Sequence, residues 1–426
     1  MTRMKESGID WIGQIPEEWE VIKVKFFTYM KGRIGWQGLK ADEFIDEGPY
    51  LVTGTDFKNG RVNWDTAYHI SQKRYEQAPE IQLKQGDLLV TKDGTVGKLA
   101  LIDELPDSAS LNSHLLVLRP LFNRYDNHFL YYVLSSLEFK NYFQKVSIGS
   151  TMDSLSQEKM GEFIFALPNI NEQNSISRYL DKKTAQLDKA KAILEEQIQK
   201  LKDYRASLIY ETVTKGLDKT VPMKDSGIDW IGQVPEGWEI TKHKYIMTKV
   251  KEICAHYEGQ DILSLTRQGV VVRDIESGKG KMPASFDGYQ FLEKGDLLFC
   301  LFDIDVTPRC VGVVENNGLT SSAYSRFRLD DKISVYYYYY LFLSMDEDKV
   351  LLHLSKNLRH SLTEDDFGII ETVLPSYEEQ LRIADYLSKV TKSIDEIVQL
   401  KQKQIGNINK QRQTLIYDYV TGKRRV

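Results

Sequence analysis

The sequence predicts an α+β protein. Two mixed α/β domains are separated by two long antiparallel helices that form an intramolecular coiled coil, the whole pseudo-two-fold symmetric. Three observations carry this expectation. MKESGIDWIGQIPEEWE (Met4 to Glu20) returns as MKDSGIDWIGQVPEGWE (Met223 to Glu239), an offset of 219 residues. LPNINEQ at Leu167 and LPSYEEQ at Leu374 each open a long helical stretch, and LIYETVTKG (from Leu208) and LIYDYVTGK (from Leu415) close the two. A period near 200 residues is too long for a solenoid repeat and marks duplication of a whole domain-plus-helix unit.

In chain order, residues 1–20 form a short clasp motif with Trp11, Pro16 and Trp19. Residues 21–166 alternate strand-like runs and turns. Within them Lys84-Gln-Gly-Asp-Leu-Leu89 is a turn whose Gly-Asp pair leads into a buried strand, and Phe129–Leu134 has a helical pattern. Residues 167–216 are the first long helix with its entry and exit. Leu180, Leu187, Leu194, Leu201 and Leu208 recur every seven residues, with Ile176, Ala190, Ile198 and Tyr204 between them. A heptad sustained that far argues for a coiled-coil seam. Asn169-x-x-Glu172 supplies its start signal.

Residues 217–239 link into the repeated clasp, with Trp230 and Trp238, and residues 240–373 form the second mixed domain. There Glu293-Lys-Gly-Asp-Leu-Leu298 repeats the earlier turn, and Tyr336–Leu343 (YYYYYLFL) is expected to be a core-facing helix. Residues 374–426 hold the second long helix, started by Ser376-x-x-Glu379, and the C-terminal tail. Its seam positions are Leu387, Ile394, Lys401, Ile408 and Leu415, helped by Ile383, Val390 and Ile397. Each helix is roughly 60–70 Å long at about 1.5 Å per residue. One such helix cannot bury its own stripe. Pairing within the chain is the leading expectation; pairing between two chains is the alternative. The duplicated clasp makes the layout nearly circular, so that the last helix can return beside the first motif.

The 426-residue chain is 42% hydrophobic, enough for real cores, with a formal charge of −5. That charge does not exclude a nucleic-acid partner, because affinity for phosphate depends on a local basic face. Three cysteines without ligand spacing predict neither a metal site nor a disulfide framework, and suit a reducing compartment. MTRMKESGIDW lacks an apolar signal region and no run of 18 uncharged apolar residues occurs, so a cytoplasmic protein with no membrane partner is expected.

The ordered set SGIDWIGQ[IV]PE-x-WE, GDLL, LP-x-x-x-EQ and LIY-x-x-VT, present twice over most of the chain, resembles the specificity subunit of type I restriction–modification systems. The resemblance implies that each mixed domain is a target recognition domain reading one half of a bipartite double-stranded DNA sequence. It implies that the paired helices act as a ruler and as the dock for two methyltransferase (M) subunits. S-adenosylmethionine would sit on those partners, and restriction with ATP and Mg on restriction/translocase (R) subunits, with no cofactor on this chain. Two heads with a shared frame but different loops imply an asymmetric target.

The candidate DNA contacts lie in those loops. In the first domain they are Lys58, Asn59 and Arg61 in a polar turn, Lys92, Thr95 and Lys98 after GDLLV, and Asn112 and His114. In the second they are Arg267, Arg273, Lys279, Arg309, Ser322, Tyr324, Arg326, Arg359 and His360. Arg and Asn suit base edges and Lys suits phosphate, a good bidentate base contact giving about 1–3 kcal/mol of discrimination. The glycines between Lys92 and Lys98 depart from the Walker spacing and favour a strand-connecting turn. The sequence has no Asn-Pro-Pro-aromatic or Asp-Pro-Pro-aromatic tetrapeptide, no Gly-rich cofactor fingerprint and no His pair with metal-ligand spacing, so no catalytic or metal residue is expected. A coiled-coil scaffold that binds protein partners without DNA specificity is the competing class. The ruler is testable. Four residues added near Ala192 extend the helix by about 6 Å, and mapping of methylated sites is expected to show an altered spacer between unaltered half-sequences.

Overall fold

Each long helix starts with the cap its sequence carries. In the computed structural model, which describes residues 3–33, 39–147, 154–275, 283–355 and 360–426, the helices run Ile170–Lys215 and Tyr377–Val420. The Asn169 side chain accepts the Glu172 backbone N–H (3.1 Å), and Ser376 Oγ accepts that of Glu379 (3.3 Å). The glutamate side chains do not return to the cap. Glu172 accepts the indole N–H of Trp19 (3.1 Å) and Glu379 that of Trp238 (3.0 Å). Both indoles are buried, so the repeated tryptophan is a structural anchor for the first turn of a helix.

The glutamine after each glutamate makes the other half of the joint. Gln173 donates to the Pro168 carbonyl (2.8 Å) and accepts the backbone N–H of Asp126 (2.9 Å), the N-cap of helix Asn127–Ser135. Gln380 donates to the Pro375 carbonyl (2.9 Å) and accepts that of Ser334 (2.8 Å), the N-cap of helix Val335–Glu347. One buried amide thus ties a proline turn to the start of a second helix, in both halves of the chain.

The chain divides into two compact units, Met1–Leu194 with Lys403–Val426, and Glu195–Gln402. The division cuts both long helices rather than the linker at 217–239, because each helix begins in one core and ends in the other. In the first unit the core gathers Trp19, Phe129, Ile176 and Leu180 with Ile416, Tyr419 and Val420. In the second it gathers Trp238, Tyr337, Phe342, Ile383 and Leu387 with Ile209 and Val213. The clasp closes on the arriving helix end. Tyr417 Oη donates to the Trp11 carbonyl (3.1 Å) in the first unit, and Tyr210 Oη to the Trp230 carbonyl (3.0 Å) in the second. Gly422 and Gly216 end the helices at φ +71°, and a Cβ on Gly422 would stand 2.4 Å from Pro16 Cδ. The Arg425 guanidinium then pairs with Glu18 and Glu172.

Within each unit the helices run antiparallel. Tyr179 meets Tyr419 (ring centroids 4.6 Å) and Asp188 meets Arg412 (3.5 Å) in the first. Gln197 meets Lys401 (2.7 Å) and Asp395 meets Arg205 (3.3 Å) in the second. Of the heptad residues Leu180, Leu387 and Ile394 are buried, while Leu187, Leu194, Leu201, Leu208, Ile408 and Leu415 are half-buried, as two helices alone allow. Lys401 replaces a seam contact with its hydrogen bond to Gln197. Tyr204 and Ile397 do not join the seam and stand 56% and 43% exposed, because Ile198, Thr391 and Val398 hold the intervening positions.

Each domain has its own sheet, and the two sheets follow the same strand order. Thr28–Lys31, Leu115–Pro120, Leu88–Thr91 and Leu99–Leu101 lie side by side in the first unit. Met247–Val250, Ser325–Leu329, Leu297–Phe299 and Val311–Val313 take the same order in the second, and all these neighbours are antiparallel. The first unit adds Arg61–Val62 and Phe57–Lys58 at the edge. Tyr337, Tyr338 and Tyr340 of the tyrosine run are buried, Tyr339 is half-buried and Tyr336 is exposed. Their hydroxyls are spent inside: Tyr337 donates to the Val213 carbonyl and Tyr338 to that of Val373, both at 2.8 Å.

Two outcomes follow. Gln380→Ala leaves a buried carbonyl and a helix-cap N–H unpaired, and is expected to lower stability by about 1–3 kcal/mol; denaturant unfolding measures it. His243 is fully buried where the first repeat has Val24, and its Nδ1 is 3.0 Å from the Phe367 carbonyl. Burial pushes its pKa down from 6.5 to about 3. The unfolded chain therefore takes the proton first, and the stability present above pH 6.5 is lost as pH falls toward 3, by about 1.4 kcal/mol per unit. Unfolding at pH 7.5 and pH 5 is expected to show a loss for the natural protein that His243→Val reduces by about 2 kcal/mol.

Candidate nucleic-acid interface

The repeated Gly-Asp turn builds the platform for the loops. Asp87 is buried, accepts the backbone N–H of Lys84 (2.8 Å) and takes a two-pronged pair from Arg119, both contacts at 2.7 Å. Asp296 repeats this with the Glu293 N–H (2.9 Å), Arg328 (3.1 Å) and, in addition, Arg326 (2.5 Å). The carboxylate locks the turn and anchors the neighbouring strand, so the loop leaving the next strand starts from a fixed point. In the first unit that loop joins Leu88–Thr91 to Leu99–Leu101; in the second it joins Leu297–Phe299 to Val311–Val313.

Thr91 organises the first loop. Its Oγ donates to the Thr95 carbonyl (2.6 Å) and accepts the Lys98 N–H (2.9 Å), while Gly97 N–H bonds the Thr91 carbonyl (2.9 Å). The glycines therefore serve a strand-connecting turn. Beside it the turn before Leu115–Pro120 is held by Asn112, whose Oδ1 accepts the His114 N–H (3.0 Å). The two turns form one wall of a groove of about 350 Å3, into which Thr95, Lys98, Asn112 and His114 converge. Phe44 and Tyr68, stacked at 4.7 Å between centroids, also line it. Asp93 also lines it, 3.4 Å from His114 Nδ1.

The remaining candidates of the first unit lie outside the groove lining. Lys58 and Asn59 are exposed on the two-residue turn between Phe57–Lys58 and Arg61–Val62, where Asn59 and Gly60 have φ of +51° and +76°. Arg61 is held by Asp103 and lies 5.9 Å from the Tyr131 ring centroid. Lys92 is half-buried, its backbone paired with His114 and Leu155.

In the second unit Ser322 and Tyr324 occupy the turn before Ser325–Leu329, the place Asn112–His114 takes in the first. Tyr324 is 5.9 Å from Phe302 on the loop, and the His360 carbonyl accepts the loop's Ile304 N–H (3.1 Å). Arg309 donates to the Arg267 carbonyl (2.8 Å), and both line a recess of about 660 Å3. Arg205, Glu347 and Asp395 share that recess, Arg205 pairing with both carboxylates, so its charge is mixed. Arg273 is half-buried at the end of strand Gly269–Val272. Arg326 must be corrected: its side chain is fully buried against Asp296 and Glu293, which removes it from any surface. Lys279 and Arg359 lie outside the described residues. Sequence reasoning missed Asp93, Phe44 and Tyr68. Asp93 lies inside the Lys92–Lys98 loop, where a carboxylate among lysines gives no local sign of DNA contact, and the aromatic pair joins residues 24 positions apart.

Residues 16–202 match the family model of the type I restriction modification DNA specificity domain. A putative type I restriction enzyme MjaX specificity subunit of Methanocaldococcus jannaschii is 24% identical, over 97% of this chain and 96% of its own length. Residues 16–202 are thus similar to that specificity domain, and nearly the whole chain is similar to this specificity subunit. The MjaVIII specificity subunit of the same organism is 25% identical over 97% of this chain and 94% of its own. The fold is shared with solved structures. A chain from a structure described as showing complex assembly and conformational transition of the type I R-M system superposes with a TM-score of 0.71 at 13% identity, covering 96% of this chain and 99% of that one. The HsdS subunit of Thermoanaerobacter tengcongensis gives 0.50 at 13% identity, covering 96% and 98%. Among the described residues of this chain no cluster of three His, Cys, Asp or Glu is placed to hold a metal, and no helix is long and apolar enough to cross a membrane.

Proposed function

We propose that the chain is the non-catalytic recognition subunit of a type I restriction–modification complex, each unit reading one half of an asymmetric bipartite duplex target. Two methyltransferase subunits carry S-adenosylmethionine and modify adenine; restriction/translocase subunits use ATP and Mg.

The observation that carries this reading is the division of the repeat into fixed and free parts. The joints repeat almost atom for atom: Trp19 and Trp238, Gln173 and Gln380, Asp87 and Asp296, Tyr417 and Tyr210. The loops borne by the common frame share neither length nor chemistry. Two readers of identical half-sites would need no such divergence, whereas two different half-sites require it. The two-partner part has its own support. Val21 and Ile240, Phe26 and Tyr245, and Ile170 and Tyr377 are repeat-equivalent pairs that are all exposed, apolar positions retained without being needed for packing. A surface kept in duplicate suits two copies of one partner.

Replacing residues 21–166 with another member's domain is expected to change one half-site of the methylated sequence and leave the other intact. Binding of the chain to random duplex is expected to fall steeply with salt, log affinity dropping by about 0.9 per phosphate contact for each decade. Salt-insensitive or absent binding, with an unchanged methylation pattern, would instead favour the protein scaffold.

A further inference from the structure

We infer that Asp93 reads a base bearing an exocyclic amine, adenine or cytosine, from the major groove of the half-site that faces the first unit. This inference rests on the proposed function.

It comes from what is already spent in the groove and what is left. Thr91 uses its hydroxyl in both directions inside its own loop. Asn112 uses its carbonyl oxygen on the His114 N–H, and its amide N–H groups have no partner among the described residues. Lys98 is exposed and adds a cationic donor. Asp93 is the one carboxylate in the lining, its side chain 38% exposed, and among the described residues its one polar partner is His114 Nδ1 at 3.4 Å.

A carboxylate cannot serve a phosphate, since like charges repel at contact distance. It needs a donor. In the major groove only two base groups donate, the N4 amine of cytosine and the N6 amine of adenine, whereas guanine and thymine offer acceptors at the corresponding places. Opposite guanine O6 or thymine O4, Asp93 would set acceptor against acceptor, so both are rejected. The neighbouring donors, Asn112 and Lys98, then meet the acceptor that accompanies either amine: adenine N7, or O6 of the guanine paired with cytosine. The second unit lacks this set. With Asp87 aligned on Asp296, Asn112 and His114 correspond to Ser321 and Ala323.

The test uses Asp93→Asn and Asp93→Ala in the full chain, co-expressed with its methyltransferase partners in a host free of other adenine methylation. Single-molecule sequencing reads the methylated motif. In both variants one A or C of one half-site is expected to lose its preference by at least about tenfold. Asp93→Asn, which supplies a donor, is expected to admit G or T there. The second half-site and the spacer remain, which also reports that the chain is folded. An unchanged motif overturns the inference, as does a uniform rise in affinity for all duplexes, which would place Asp93 beside phosphate. If both variants abolish methylation, Asp93→Glu decides, since it keeps the acceptor: recovery of the parental motif supports the inference and failure by a folded protein overturns it. A natural protein that sets no motif at all would remove the proposed function itself.

Discussion

Two helices packed only on each other leave their seam half wet, and the rest of the molecule answers that constraint. In the middle of the pair Leu187, Leu194 and Leu201 are only half-buried. Toward the ends the burial is complete, because Ile176, Leu180, Ile416 and Tyr419 sink into one core and Ile209, Val213, Ile383 and Leu387 into the other. Most helical stability in proteins comes from tertiary packing rather than propensity. Here that packing is concentrated at four helix ends, each fixed by a tryptophan–glutamate or tyrosine–carbonyl contact to a clasp.

The internal duplication separates structural need from freedom to vary. Side chains that carry a joint recur with the same partners and distances, as Gln173 and Gln380 do. Substitution is tolerated where one apolar shape can stand for another, as at Val24 and His243, although the imidazole brings a buried nitrogen that has no partner among the described residues. Between the anchored strands the chain is free to change length and charge. The anchored turn makes that freedom safe: Asp87 and Asp296 hold the strand whatever the loop beyond it contains.

Much of the architecture was legible in local pattern. The heptads, the caps at Asn169 and Ser376, and the repeated clasp each announce themselves within a few residues. Pairings across long separations were not legible. Arg326 looks like a free cation at the end of a strand, and only the sheet register places Asp296, 30 residues earlier, against it. Gln380 looks like an ordinary polar residue of a helix, yet its worth depends on Ser334, 46 residues away. Ile397 fits an apolar count along the helix, but the antiparallel partner faces Ile394 and Val398 instead. The groove was half legible. Its donors attract notice in a search for DNA contacts; the carboxylate among them does so only once Asp93 and His114 are seen 3.4 Å apart.

The closure of the first clasp by the chain's far end carries a consequence for biosynthesis. Trp11, Pro16 and Glu18 leave the ribosome early, but Tyr417, Gly422 and Arg425, which complete their surroundings, are made some 400 residues later. The half translated first is therefore the half finished last, while the other unit has all its parts before it. A nascent chain must keep an open apolar edge shielded until helix Tyr377–Val420 arrives, and a chain cut before Tyr417 leaves the clasp around Trp11 open while the second unit has all its parts.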